Sequence, residues 1–141
     1  MTIPEQQHLK REGYSEAMRY IANAKGYLQK AGMDDDGYYQ DKKYVRTACG
    51  AAYNGVLEAL KIYLKLKNPE VLKTKERKDI DFYRRHLAKD NKKILNTLDT
   101  VYHILHIDGY YEGIKNSDII KIGFKNAKEI IDLIKPVGAA Q

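Results

Sequence analysis

Apolar residues recur at alternating steps of four and three along most of this chain, the spacing that lines one face of a helix. Ala17, Ile21, Ala24, Leu28 and Ala31 predict a first helix over 14–31, with Gly32 as its stop. Asp34, Asp35 and Asp36 offer N-cap oxygens and favourable negative charge to a second helix over 45–66, which Asn68-Pro69 ends. Pro69 to Leu72 reads as a short turn of helix. Thr74 is positioned to cap a third, with core positions Ile80, Tyr83, Leu87, Ile94, Leu98, Val101 and Leu105, before Gly109 breaks it. Asn116 or Ser117 caps a fourth, carried by Ile120, Phe124, Ala127, Ile131 and Ile134 until Pro136, and the tail from Val137 to Gln141 is predicted to fray.

The second helix is unusual in the width of its apolar arc. Ala51, Gly55 and Ile62 open it, Val45, Ala48, Ala52, Val56, Ala59 and Tyr63 fill its middle, and Tyr53, Leu57, Leu60 and Leu64 close it. That is roughly 240°, against a stripe a little over about 100° for a surface helix. Such a helix needs cover on several sides. Three other helices leave one edge of the arc outward, so the pattern predicts a homodimer. The Ala51, Gly55, Ile62 edge is the better contact than the Leu57, Leu64 edge, since small residues let two backbones approach about a two-fold axis. Gly26, Gly50, Gly55 and Gly123 each cost about 1 kcal/mol relative to Ala, and close helix approach is the compensation they predict.

Four helices with short connections predict an all-α, antiparallel up-down-up-down four-helix bundle, one domain spanning 1–141 with its core over about 14–135. The first and third connections then share an end, bringing Asp34, Tyr38 and Tyr39 near His106, Tyr110, Tyr111 and Glu112. Lys65, Lys67, Lys73, Lys75 and Lys78 fall at the other end.

Charge sharpens this picture. Of the net +6, the segment from Lys61 to Lys93 holds twelve basic against five acidic residues, so the excess is local. On the wheel of the third helix, Lys75, Lys78, Arg85, Lys89 and Lys92 share the side away from the core. They are candidates for nucleic-acid binding, but outward lysines are also what solubility demands and the loop tyrosines lie at the far end, so only weak binding is predicted. Tyr38, Tyr39, Tyr110, Tyr111 and Glu112 lie in or beside connections, where exposed aromatics mark recognition of a protein partner or small ligand. No run of about 18 apolar residues or signal-peptide pattern occurs, which predicts no membrane contact and a cytoplasmic protein.

Metal and catalytic patterns are sparse. His103 and His106 stand three apart, with Asp108 and Glu112 following, but a di-iron bundle needs two Glu-x-x-His pairs on core helices and the one here, Glu5 with His8, lies near the start. Surface histidines are the better reading, and no metal or cofactor is predicted. Cys49 reads as a small buried apolar residue. There is no Gly-rich phosphate loop, nucleophile elbow or His-Glu-x-x-His.

The run from Tyr44 to Leu64, YVRTACGAAYNGVLEALKIYL, resembles the second helix of HEPN-type bundles, with small residues, an inward tyrosine and a leucine-rich end in succession. Most of 14–135, including Tyr110-Tyr111, resembles a bacterial family of HEPN-like four-helix proteins. The resemblance implies a homodimer and a link to RNA cleavage, nucleotide binding or toxin and antitoxin pairs. Catalytic HEPN members carry an Arg and a His separated by four to six residues. Here those positions hold Asp79, Ile80 and Asp81 before His86, Asn96, Thr97 and Leu98 before His103, and Asp99, Thr100 and Val101 before His106. The expectation is a non-enzymatic HEPN-like binding module, with an RNA or nucleotide binder lacking the catalytic pair as the alternative.

Overall fold

The computed structural model describes residues 1–138, and among these the chain is all-helical. Five α-helices stand where four are predicted: α1 (Ile3–Ala31), α2 (Lys42–Lys67), α3 (Ile80–Asp90), α4 (Lys92–Val101) and α5 (Ser117–Ile131). A π-helix (Tyr102–Tyr111) continues α4, and 3-10 turns cover Pro69–Lys73 and Asp132–Ile134. Of the tail predicted to fray, Ala139, Ala140 and Gln141 lie outside the described residues. No described helix is long and apolar enough to cross a membrane.

Helix starts follow side-chain caps that the apolar pattern does not mark. α1 begins at Ile3, not at residue 14, because Thr2 Oγ1 accepts from Glu5 N at 3.2 Å and donates to Glu5 Oε1 at 2.9 Å, with Pro4 in the first turn. Its first turns are solvated and so carry no apolar period. Asp41, rather than Asp34 to Asp36, caps α2 by accepting from Lys43 N at 3.0 Å. Asp34 instead holds the preceding turn, its Oδ1 accepting from Asp36 N and Tyr38 N, both at 2.9 Å.

α2 is the central element, and its arc is covered within one chain. α1 runs antiparallel along one side, from Asp41 N donating to Ala31 O at 3.1 Å to Ile62 against Gly13. Gly55 faces α1 so closely that a Cβ would stand 3.0 Å from both Ala17 O and Tyr20 Cβ. Ile62 is 7% exposed, Gly55 is buried and Ala51 half-buried, so the edge predicted to face outward is an internal contact. The reason is the small residues on both helices, which let the two backbones close up inside the chain. On the opposite edge Leu64 is buried and Leu57 half-buried.

The single third helix of the sequence reading is a helical hairpin. Arg84 Nε donates to Asp99 Oδ1 at 2.8 Å, whereas fifteen residues of straight helix would hold them about 22 Å apart. The chain reverses at Asn91, which serves both helices. Its N–H donates to Leu87 O at 2.7 Å, closing α3, and its Oδ1 accepts from Ile94 N at 3.1 Å, opening α4. α3 is capped by Asp79, which accepts from Phe82 N at 3.1 Å, not by Thr74. The π-helix that continues α4 then runs antiparallel along α2, pairing Tyr102 with Tyr53, Tyr110 with Gly50 and the Tyr111 carbonyl with Arg46 in turn. At the far end the first and third connections meet as predicted, through Tyr39 N to Lys115 O at 2.8 Å and Ser117 N to Gly37 O at 3.1 Å.

Candidate functional site

Gly109 does not break its helix; it allows a different one. A Cβ there would lie 2.5 Å from Cys49 Cβ, so only glycine lets the π-helix sit against α2 at this point. Cys49 is fully buried beneath it, and burial pushes its thiol up to about 12. Gly50 makes the matching allowance on α2, where a Cβ would meet the Tyr110 ring at 2.8 Å. The winding matters for the side chains. In an α-helix a residue and its fifth successor diverge by about 140°, whereas the wider winding of i→i+5 bonding brings them much closer and sets the fourth and fifth successors on either side of it. Tyr110 and Tyr111 can therefore both flank His106.

The outcome is a cluster of five rings. His106 stacks on Tyr53 at 4.5 Å between centroids and lies parallel to Tyr110 at 5.9 Å, while Tyr102 at 5.2 Å and Tyr111 at 4.9 Å meet it at larger angles. These rings form one wall of a cleft of about 480 Å³. Asn54 and Leu57 of α2 extend that wall, and Arg77, Lys78, Asp79 and Ile80 form the other. Tyr110 and Tyr111 are 45% and 55% exposed, so two aromatic rings stand at its mouth.

The electrostatics are mixed. Burial holds the His106 imidazole below its ordinary value and pushes the Tyr53 hydroxyl up, with Tyr102 adding to the latter. Lys78 Nζ donates to the Thr74 and Glu76 carbonyls, each at 2.6 Å, which fixes the rim of the cleft. Arg77 is exposed beside it. Arg84 lies over the Tyr102 ring at 4.8 Å from its centroid, a cation–π contact that braces the back of the cluster. Among the described residues no group of three or more His, Cys, Asp or Glu is placed to hold a metal ion.

The predicted site residues divide. Tyr110 and Tyr111 line the cleft; Glu112 follows the π-helix, exposed, with its N–H donating to Ile107 O at 3.0 Å. Tyr38 and Tyr39 lie elsewhere, in extended chain beside Asn116 and Met33, where successive side chains point to opposite faces. Tyr38 is consequently exposed and Tyr39 is core, 8% exposed, so the four tyrosines do not form one surface. The basic face is also divided. Lys75 and Lys78 precede α3, Arg85 and Lys89 lie on it, and Lys92 opens α4 beyond the reversal. Arg85 is paired with Glu76, and only Lys78 of the five reaches the cleft. The basic connection does not stay at the end away from the tyrosines, because the segment after the 3-10 turn runs back along α2 to meet them. Tyr53, Arg77 and Tyr102 are cleft residues that the sequence reading assigns to no site, and His106, read there as a surface histidine, is half-buried in the ring cluster. The spacing of Tyr102, His106 and Tyr110 at steps of four is a signal for three rings on one face; nothing comparable marks Arg77.

The chain belongs to the family described as a domain of unknown function, DUF5618, whose model matches residues 12–136. It is similar to the solved structure of a protein of unknown function from Dyadobacter fermentans, with 42% sequence identity and a TM-score of 0.76 over 89% of this chain and 94% of that one. No curated protein matches it significantly.

Proposed function

We propose that this chain is a HEPN-like helical bundle acting as a binding module, not as an enzyme, and that it binds in the cleft between α2, the π-helix and the segment before α3. The observation that carries this reading is the five-ring cluster with two exposed tyrosines at the mouth of a concave site. Aromatic walls with a few convergent polar groups are the usual make-up of a ligand site. The HEPN-like arrangement is supported by the alternating directions of α1, α2, α4 with its π-helix, and α5. A non-enzymatic role is supported by the missing Arg and His pair. Any homodimer would use a surface other than the Ala51, Gly55, Ile62 edge, which α1 covers.

A second reading, an RNA or nucleotide binder, is favoured by one specific feature: Arg77 and Lys78 line the same cleft as the tyrosines. Stacking rings beside cations are what single-strand binders combine. Both readings are tested by titrating the protein with adenosine monophosphate, a single-stranded RNA oligomer and naphthalene-2-sulfonate. Replacing Tyr110 and Tyr111 together by Ala should weaken a bound probe by at least about tenfold, at about 1–3 kcal/mol per stacked ring, while circular dichroism shows the helical fold retained. RNA bound with a steep salt dependence, and left uncleaved, decides for the second reading. Equal binding by wild type and the double variant would remove the cleft as the site.

A further inference from the structure

His106 is the hub of the cleft, and among the groups lining it only an imidazole ordinarily changes charge near neutral pH. Its surroundings are uncharged at close range. Tyr53 of α2 covers one face, and Tyr102, Tyr110 and Tyr111 of its own helix pack around it. Across the cleft stand Arg77, Lys78 and Asp79, and beyond Tyr102 the Arg84 charge of α3 is paired with Asp99 of α4. Arg46 of α2 reaches only the Tyr111 carbonyl, and His103 turns to solvent beside Tyr102. α5 meets the π-helix on another side, at Ile104 and Leu105. With the cleft empty, no charged group packs against the His106 ring, and burial alone disfavours an imidazolium there.

An anion entering the cleft reverses that balance, because it brings negative charge into a partly desolvated space beside the ring, where a Coulomb interaction is stronger than in water. We propose that an anionic ligand binds this cleft together with a proton taken up by His106, a linkage that presupposes the cleft as the binding site. The sign is fixed by the order of the two states. The empty protein holds the imidazole neutral to lower pH, and the loaded protein holds it charged to higher pH. Between those two titrations binding consumes a proton, and affinity strengthens as pH falls; below both it levels off.

Naphthalene-2-sulfonate suits the test because its charge is fixed across the range. Calorimetric titration of the full chain from about pH 8 to about pH 5.5, in buffers of different protonation enthalpy, should show proton uptake and an affinity gain of up to about tenfold per pH unit. Its uncharged analogue naphthalene-2-methanol should show neither. In His106→Phe, which keeps a ring in the stack, whatever affinity remains should be flat with pH. NMR of the wild-type imidazoles gives a reading that does not depend on the variant folding: the His106 titration should move to higher pH when the sulfonate is added. A flat wild-type profile, tighter binding at high pH, an unmoved His106 titration, or a pH dependence surviving in His106→Phe would overturn the linkage alone. Absence of binding at every pH would overturn the linkage and the cleft reading together.

Discussion

At Gly109 an added Cβ would stand 2.5 Å from Cys49 Cβ and 3.1 Å from Ile104 O, whereas at Gly26 it would meet nothing within 4 Å. The same substitution should therefore have opposite signs at the two positions. Gly26→Ala gains helix propensity of up to about 1 kcal/mol with no steric cost. Gly109→Ala has that gain overridden by overpacking, of order 1–3 kcal/mol or more, since backbone and a buried side chain must give way. In thermal melts followed by circular dichroism, Gly26→Ala should raise the midpoint by a few degrees and Gly109→Ala should lower it. Equal shifts at the two sites would show that the π-helix does not lie against Cys49. The sequence marks Gly26, Gly50, Gly55 and Gly123 alike as close-approach sites, and three of them are. Gly26 is not, because a glycine in a helical pattern reports a missing side chain and not what stands opposite it.

Asn91 shows the corresponding limit for whole elements. The residues Ile80, Tyr83, Leu87, Ile94, Leu98 and Val101 keep a helical period straight through the reversal, so periodicity alone returns one helix where two are packed side by side. No glycine or proline marks the break. Its only sequence signal is an asparagine, an ordinary N-cap, inside a polar run from Lys89 to Lys93. The π-helix is hidden for a similar reason, since its extra residue per turn is selected by packing against Gly50 and Cys49, not by local preference. The hairpin itself is testable at its cap. Asn91→Ala deletes the bond to Ile94 N and should cost about 0.5–2 kcal/mol, while Asn91→Asp keeps an acceptor there and Asn91→Gly should cost only a few tenths. A continuous helix through position 91 would give the reverse order, with Ala the most stable of the three in denaturant unfolding.

For the molecule as a whole, the pattern of the second helix is right about burial and wrong about what does the burying. Val45, Ala48, Ala52, Val56 and Leu60 are fully buried, and the flanks are taken by α1 on one side and by α5 and the π-helix on the other. A sequence reading that counts three regular neighbours finds too little cover. It gives no packing role to the turn after Asn68, whose Val71 and Leu72 pack on the core, and omits the segment that carries Arg77 back along α2. That omission also separates the basic residues from the tyrosines and so hides the cleft. Stability should then draw on one chain alone. The thermal midpoint of the wild type should not move with protein concentration over a hundredfold range, since only a folded state held by association gains from mass action. Gly55→Arg extends the argument to the disputed edge. Its side chain would be driven into Ala17 O and Tyr20 Cβ, where backbone stands in the way, so α1 must leave α2 for the arginine to fit. Loss of helical circular dichroism, or a midpoint lowered by ten degrees or more on the scale of about 2–8 °C per kcal/mol, is the expected result. A variant that stays fully helical with an unchanged midpoint, sedimenting as half the wild-type mass, would return Gly55 to a subunit interface.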